Sequence, residues 1–372
     1  MTTRVPSAEG AAFAGVERDD GTVGVRDRVL VLPSVICSHV VADRIADRVE
    51  GAVSTPHDHG CGQAGEDNAQ TERTFLGLAQ NPNVAGTLVV GLGCEHVQSD
   101  AVAARLREMA VPVREVAIQD AGGTEACLAA GVDAAEDLAT ARGTARRPAA
   151  LGDLTVGVVV GDLDGSTVSR AAPLVGSMAQ TVVEAGGRVV AAGTERLTTH
   201  PDGARAATSD AARPAMEALL ERHRGEPPKS VRVANEAEGR PFEDVTADWG
   251  GLPVAEVLRY GERPSLDAGL AVVDAPSQYE EAASALVAAG AQVLVHVTAD
   301  GVLTGHPLAP TVKVSGDAET VAVLPDAIDV DATAADPDAL LGTVCRVADG
   351  DPSLDERHGL TGFAITRIGP SM

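Results

Sequence analysis

Three apolar runs stand close together in the first third of the sequence: Val29-Leu30-Val31-Leu32, Gly51-Ala52-Val53-Ser54 and Gly86-Thr87-Leu88-Val89-Val90. Each run is short and is bounded by turn residues, which predicts a buried strand. The residues between the runs place apolar side chains at helical spacing. Strands that alternate with helices predict β-α-β units and a parallel sheet.

The same alternation continues along the chain and predicts an α/β fold with two Rossmann-like lobes built on mainly parallel sheets. We interpret residues 1–24 as a loose lead-in, residues 25–148 as the first lobe and residues 149–372 as the second. Residues 200–265 are rich in charge, Pro and Gly, which predicts long loops and one helix. The apolar run at residues 321–324 is expected to continue the alternating pattern, and Thr124 is predicted to cap a helix.

Composition restricts the classes of partner. The 372 residues carry a net charge of −25, and Lys229 and Lys313 are the only lysines. An acidic surface repels nucleic acid and anionic membranes, so neither is expected as a partner. The composition is typical of proteins from salt-loving organisms, although acidic drift in a GC-rich genome would also produce it. No apolar run approaches the roughly 20 residues of a membrane span, and the acidic N-terminus lacks the apolar segment of a signal peptide. We therefore expect a cytoplasmic protein.

Thiol and imidazole groups follow each of the three predicted strands. The segments are Cys37-Ser38-His39, His57-Asp58-His59-Gly60-Cys61 and Cys94-Glu95-His96. Ligands of parallel sheets bind at the carboxyl ends of the strands, where these segments lie. Thiolate and imidazole together suit iron or zinc. The cysteines are 24 and 33 residues apart, which matches no zinc-finger pattern, so three structural thiols remain the alternative.

Two of these residues are candidates for proton transfer. His59 has a side chain suited to acid–base work and lies in a glycine turn beside Cys61, although a surface-loop histidine would give the same pattern. Glu95 is a candidate base or metal ligand, and capping of the following helix is the alternative. Cys127 and Cys345 are predicted to be core residues.

Several motifs resemble those of the altronate/galactarate dehydratase family, in its large-subunit region. The opening Arg18-Asp19-Asp20-Gly21 and Pro33-Ser34-Val35-Ile36-Cys37-Ser38 are similar to the family's R-x-D-G and P-S-V-x-C-S. The similarity continues in four further segments, which are His59-Gly60-Cys61-Gly62, Asn81-Pro82-Asn83-Val84, Val89-Val90-Gly91-Leu92-Gly93-Cys94-Glu95 and Gly269-Leu270-Ala271-Val272-Val273-Asp274-Ala275-Pro276. Ala309-Pro310-Thr311-Val312-Lys313-Val314 completes the set.

The resemblance implies a hydro-lyase that acts on a sugar acid such as altronate or galactarate with a divalent metal, Fe²⁺ before Mn²⁺ or Zn²⁺. It implies a separate small subunit, and we also expect an oligomer. A sister branch expels sulfite from sulfolactate. On this interpretation Cys37, Cys61 and Cys94 bind the metal, His59 and Glu95 transfer protons, and the substrate-binding residues are Asn83, Asp274 and Lys313. For Lys313, a solvated strand-end lysine is the alternative.

The second half departs from the family pattern. Where the family has K-C-G-G-S-D, this chain has Val159-Val160-Gly161-Asp162-Leu163-Asp164, without the lysine and the cysteine. The loop T-G-R-G-T-P-T-G loses its arginine at residues 298–305, and Glu195 lies two residues beyond the place of the family's glutamate. Two alternatives therefore remain open, which are a lyase for a sulfonated acid and a non-catalytic paralogue with a regulatory or scaffolding role.

Overall fold

The computed structural model describes residues 12–63, 65–142 and 145–368, and it shows a mixed α/β protein. The strands, in chain order from β1 to β14, are Phe13–Glu17, Val23–Gly24, Arg28–Pro33, Ala52–Ser54, Val84–Gly91, Val113–Ala117, Arg146–Ala149, Thr155–Val160, Arg188–Ala191, Val254–Leu258, Gly269–Val273, Val293–Val297, Thr311–Ser315 and Val330–Asp331. The helices from α1 to α14 are His39–Ala46, Glu66–Ala79, Ser99–Glu108, Thr124–Thr140, Ala172–Glu184, Thr194–Thr199, Pro201–Ala207, Arg213–Arg222, Val231–Glu238, Phe242–Val245, Tyr279–Ala288, Ala318–Val323, Pro337–Ala348 and Leu354–His358.

The three apolar runs near residues 30, 52 and 88 form strands β3, β4 and β5 of a four-stranded sheet with the order β4-β3-β5-β6. All its strand pairs are parallel. Successive side chains of a strand point to opposite faces, and both faces of β3 are buried. Val29 and Val31 join the core under α1 and α4, whereas Leu30 and Leu32 join a second core on the other face.

A seven-stranded parallel sheet with the order β10-β11-β9-β8-β12-β13-β14 forms the larger part of the molecule. One of its faces shares the second core with β3, through residues such as Val159 and Leu294. Helices α2 and α11 pack together in this shared core, where a Cβ at Gly77 would lie 2.7 Å from the Ala288 carbonyl oxygen. The other face packs under α5 and α13. The predicted α/β class with mainly parallel sheets is confirmed.

The start of the described chain is not the loose lead-in that the sequence predicts. Strands β1 and β2 form an antiparallel sheet with β7, and residues 19–20 make the turn between β1 and β2. Phe13 is only 4% exposed and packs in the core of the seven-stranded sheet. Burial of this aromatic side chain explains why the segment is ordered. Residues 1–11 lie outside the described part of the chain.

Three local expectations differ from the structure. Residues 321–323 of the apolar run lie in helix α12. The Asp317 side chain caps this helix, because it accepts a hydrogen bond from the Thr320 amide. Helix α4 begins after Gly123, whose φ of 127° suits glycine, and no side chain caps it. The stretch 200–265 holds four helices and β10 instead of one helix among loops. Within the described ranges, no helix is long and apolar enough to cross a membrane.

Candidate functional site

The three turns that carry the exposed cysteines are in direct contact. The Ile36 amide donates to the His59 carbonyl oxygen at 2.9 Å, and the His96 amide donates to the Gly60 carbonyl oxygen at 3.0 Å. Gly60 has a φ of 93°, and a Cβ there would lie 2.0 Å from the Ser34 carbonyl oxygen. Only glycine fits this close approach. The carboxyl edge of the four-stranded sheet therefore forms one connected surface.

The buried Glu95 carboxylate accepts hydrogen bonds from two of these three turns. Its Oε1 accepts hydrogen bonds from the Ser34 hydroxyl at 2.9 Å and the Leu92 amide at 3.2 Å, and its Oε2 accepts from the Gly93 amide at 2.6 Å. The side chain is buried. Burial alone would raise the pKa of Glu95, but the donated hydrogen bonds outweigh it and lower that pKa. Glu95 is thus an ionised carboxylate that orders the turn before Cys94.

His57 and His59 are also engaged on both ring nitrogens. His59 Nε2 lies 2.9 Å from the Ile365 carbonyl oxygen, and its Nδ1 lies 2.7 Å from the Gln63 amide nitrogen. His57 Nε2 lies 2.7 Å from the Pro33 carbonyl oxygen, and its Nδ1 accepts from the His59 amide at 3.1 Å. Burial lowers the pKa of His59 and lowers that of His57 to about 4. Both rings are therefore neutral at pH 7, and the role of His59 in proton transfer stays a prediction.

The cysteines of the three turns differ from these buried neighbours. Cys37, Cys61 and Cys94 are exposed, whereas Cys127 and Cys345 are buried, as core residues should be. Among the residues that the structure describes, no group of three Cys, His, Asp or Glu side chains is placed to hold a metal ion. The thiols lie on connected turns without being grouped as a set of metal ligands, and we derive no chemical step through a metal.

A large cleft of about 1050 Å³ lies elsewhere, and we call it the main cleft. It is bounded by α2, by the segments that follow β9, β10 and β11, by the end of α8 and by residues 366–368. These segments follow the carboxyl ends of three adjacent strands of the seven-stranded sheet, the position at which parallel sheets bind ligands. The main cleft is therefore the candidate binding site.

The charge of the main cleft is opposite to that of the chain. The described residues that line it include seven basic side chains, which are Arg73, Arg205, Arg222, Arg224, Lys229, Arg259 and Arg367, and five acidic ones, which are Glu66, Glu195, Glu226, Glu238 and Asp274. The whole chain, in contrast, has 29 basic and 54 acidic residues. Basic side chains that converge in a concave site favour an anionic ligand.

Asp274 is the centre of the polar wall. Its Oδ1 lies 2.7 Å from His223 Nε2, and its Oδ2 accepts two hydrogen bonds from the Arg222 guanidinium at 3.1 and 2.8 Å. Burial would raise the pKa of Asp274, but the bonds from His223 and Arg222 lower it overall. The hydrogen bond to Asp274 raises the pKa of His223. No described residue hydrogen-bonds to Nδ1 of this imidazole, which lines the cleft.

Glu195 is the other carboxylate with a defined setting here. Its Oε1 accepts from the Ser230 amide at 2.8 Å, and its Oε2 accepts from both the amide and the hydroxyl of Ser277 at 3.0 Å. These contacts tie α6 to the start of α9 and to the loop after β11. Glu195 therefore shapes the wall rather than offering a free carboxylate.

Residues 365–368 connect the main cleft with the cysteine turns. Gln70 donates to the Thr366 carbonyl oxygen at 2.7 Å, and the Ile368 amide donates to Asp67 at 3.0 Å. Ile365 accepts from His59, as described above, and Arg367 pairs with Asp58. Residues 365–368 thus contact the His59 turn and also form part of the cleft wall.

Two predicted substrate-binding residues lie away from the main cleft. Asn83 uses its side chain to join segments, since it accepts from the Val25 amide at 2.9 Å and donates to the Gln292 and Leu308 carbonyl oxygens. Lys313 is buried, and its ammonium donates to the Leu303 carbonyl oxygen at 2.6 Å. Neither lines the cleft, whereas Asp274 does.

The buried carboxylate of Asp355 interacts electrostatically with Lys313. Burial raises the pKa of Asp355 to about 6, although the charge of Lys313 acts in the opposite direction. Burial also lowers the pKa of Lys313. Both groups are thus partly shifted toward their neutral forms in the interior.

Sequence reasoning did not find His223, Arg222, Arg73 or Arg259. His223 and Arg222 lie at the end of a helix within a charged stretch, and no motif marks them. Only Asp274 carried a signal, because it follows a predicted strand and lies in a motif. The proximity of Asp274 to His223 depends on how α8 packs over the end of β11, which no local pattern reveals.

Comparison with known proteins gives two family matches. Residues 15–142 match the family described as D-galactarate dehydratase/altronate hydrolase, second domain, and residues 246–371 match D-galactarate/altronate dehydratase, C-terminal. The first range contains the cysteine turns, and the second contains Asp274 and Lys313. His223 lies between the two ranges.

Three relatives have similar sequences over most of this chain. Altronate dehydratase of Bacillus subtilis (strain 168) is 29% identical over 88% of this chain and 70% of the relative. Altronate dehydratase of Escherichia coli (strain K12) is 29% identical over 95% of this chain and 77% of the relative. The (2R)-sulfolactate sulfo-lyase subunit beta of Chromohalobacter salexigens is 28% identical over 97% of this chain and 98% of the relative.

Proposed function

The chain belongs to the D-galactarate dehydratase/altronate hydrolase family, and on this basis we propose that it is a lyase that removes a β-substituent from a hydroxy acid. The first candidate is a hydro-lyase for a sugar acid such as altronate or galactarate. Two of the relatives are named altronate dehydratase, and all three carry names of lyases. The observation that carries the proposal is the positively charged main cleft in a strongly acidic chain.

The substrate carboxylate would bind near Arg73 and Arg259. Both guanidinium groups pair with the single carboxylate of Glu66, so their positive charge exceeds that of their partner. Arginine is suited to hold a carboxylate through two parallel hydrogen bonds. We therefore assign the recognition of the acid to this pair.

His223 would supply a proton to the leaving oxygen. In the elimination, the carbon next to the carboxylate loses its proton to solvent water, and the β-hydroxyl takes a proton from His223 and leaves as water. The resulting enol becomes the 2-keto acid. Asp274 holds the His223 ring and raises its pKa, which keeps a protonated imidazole available over a wider pH range. A positioned acid of this kind contributes typically about 10²–10⁴-fold to the rate.

The family resemblance also implies Fe²⁺ at Cys37, Cys61 and Cys94, and this assignment remains a proposal. Exposed thiols on three connected turns support it. Because the described side chains are not grouped as a metal site, we assign the proton transfer and the binding of the acid to the chain's own residues.

A second candidate is a lyase for a sulfolactate-type acid that works with a small partner subunit. The specific support is the match to the sulfo-lyase subunit beta, which extends over nearly the full length of both chains. The basic cleft suits either a carboxylate or a sulfonate, since both are anions. The name of that relative also motivates the proposal of a separate partner subunit.

The test is a substrate screen with matched variants. The chain, alone and with a co-expressed small subunit, is incubated anaerobically with Fe²⁺ and assayed for 2-keto acid and sulfite from sugar acids and sulfolactate. We expect His223→Gln to lower kcat by at least about 10²-fold and Arg259→Gln to raise KM. His358→Gln, at the exposed end of α14, is the control and should match the parent chain.

Two results would contradict the proposal. If no acid of either class is converted under any of these conditions, the chain is better explained as a non-catalytic paralogue. If an acid is converted and His223→Gln retains full kcat, the lyase assignment stands but the main cleft is not where the proton is donated.

A further inference from the structure

A second pocket, of about 410 Å³, lies at the amino-terminal edge of the four-stranded sheet, opposite the cysteine turns. We call it the arginine pocket. It is lined by residues 25–28 at the start of β3, by the residue before β4, by Arg142 after α4, by the start of β7 and by residues between 350 and 356, which follow α13. None of its lining residues lines the main cleft. The pocket is therefore a separate site.

Four arginines and two carboxylates line this pocket, namely Arg26, Arg28, Arg142, Arg146, Asp27 and Glu356. The Glu356 carboxylate accepts hydrogen bonds from Arg26 at 2.6 and 2.8 Å and from Arg28 at 3.3 Å. Asp27 is paired at 2.6 Å with Arg18, outside the pocket lining. The carboxylates thus neutralise only part of the arginine charge.

Arg142 and Arg146 have no acidic partner among the described residues. Arg142 donates to the carbonyl oxygens of Ala139, Asp27 and Glu50, and Arg146 donates to those of Ala14 and Ala348. Carbonyl oxygens satisfy hydrogen bonds but do not cancel a full positive charge. In addition, Arg28 Nε is buried and has no hydrogen-bond partner within the described chain.

A structural role explains part of this arrangement. Ala139 and Ala348 lie in the last turns of α4 and α13, where basic side chains are favourable. Helix termination does not explain why two such arginines face the same cavity as Arg26 and Arg28.

We propose that the arginine pocket binds a small oxyanion with two or more negative charges, of the phosphate or sulfate type. The anion would neutralise Arg142 and Arg146, which have no acidic partner among the described residues. Because the start of β3 and the segment after α13 both line the pocket, the bound anion would stabilise the contact between these two segments. Guanidinium groups are the residues of choice for such oxyanions. This proposal does not depend on the lyase assignment.

Isothermal titration calorimetry of the full chain with inorganic phosphate tests the proposal, at constant ionic strength set with chloride. We expect one phosphate per chain and an affinity at least tenfold weaker in Arg142→Gln and in Arg146→Gln. Arg105→Gln is the matched control, because Arg105 is an exposed arginine on α3 that pairs with Glu72. A thermal-unfolding scan should show phosphate stabilising the parent chain and Arg105→Gln but not the two pocket variants.

Further arms separate the sources of the anion and guard against misfolding. Tighter binding of a phosphorylated sugar than of phosphate would support a phosphorylated metabolite, and equal binding would support the free ion. Arg146→Lys keeps the charge and should retain most of the affinity. The proposal is overturned if phosphate and sulfate do not bind at millimolar concentration, or if folded Arg142→Gln and Arg146→Gln bind as the parent does.

Discussion

Replacement of Asp248 by alanine should destabilise the wall of the main cleft severely. Asp248 accepts a hydrogen bond from Arg196 Nη1 at 2.6 Å, and both side chains are 1% exposed. Arg196 also donates to the Val245 and Ala192 carbonyl oxygens at 2.9 and 2.6 Å. In the variant, those two carbonyl oxygens would be the remaining partners of a buried positive charge. Removal of one member of a buried ion pair typically costs about 3–5 kcal/mol, and we expect a loss of that size.

Equilibrium urea denaturation measures this loss through the fluorescence of Trp249, the only tryptophan of the chain. Its ring lies 5.8 Å from the Arg196 guanidinium carbon, so it reports on the same region. The double variant Arg196→Met/Asp248→Leu should recover most of the stability, because it leaves no uncompensated charge. Since Arg196 lies in α6 with Glu195, Asp248→Ala should also weaken substrate binding.

Glu125→Ala serves as the control for this prediction. Glu125 forms an exposed ion pair with Arg44 at 3.1 Å, and loss of such a pair costs at most about 1 kcal/mol. If Asp248→Ala proves no more costly than this control, Arg196 and Asp248 do not form a buried ion pair in solution.

Two further predictions concern the pKa values of His223 and Asp355, and a third concerns the exposed thiols. Asp274→Asn removes the interaction that raises the pKa of His223, so the alkaline limb of the kcat/KM profile should move to lower pH; an unmoved limb would exclude His223 as the acid. The pKa of Asp355 is about 6 against an ordinary value of 3.8. The unfolded state therefore releases its proton first as the pH rises, and the folded state should lose about 2 kcal/mol of stability between pH 4 and pH 7. Asp355→Asn should lack this loss in urea titrations, and an identical pH dependence would contradict the burial. In metal-free native protein, a thiol reagent should modify three of the five cysteines, and anaerobic Fe²⁺ should protect them; undiminished modification at saturating iron would contradict the proposed ligands.

The four-stranded sheet could be predicted because its information is local. Apolar runs and helical spacing specify β3, β5, α2 and α3 without knowledge of distant residues, and the carboxyl-edge rule then places the three turns together. The sequence could not reveal how those turns are connected. Whether Glu95 faces a metal or the Ser34 hydroxyl depends on side-chain orientation within one turn, and residue type is compatible with both.

The main cleft could not be predicted because it is assembled from distant segments. Its walls combine α2, α6, α8 and the residues after β11, and no one of these carries a catalytic motif by itself. The strands β1 and β2 were missed for a related reason. Both strands are short, and β1 also pairs with β7, which lies more than a hundred residues later in the chain, so the sheet leaves little local pattern.

The strand order of the large sheet has a consequence for biosynthesis. Strand β8 lies between β9, which follows it closely, and β12, which is made roughly 130 residues later. At ribosomal rates of about 5–20 residues per second, one edge of β8 stays unpaired for roughly 7–26 s. An unpaired apolar strand is a template for association with other chains. Recombinant yield should therefore depend on chaperone capacity and on growth temperature more strongly than the stability of the finished fold would suggest.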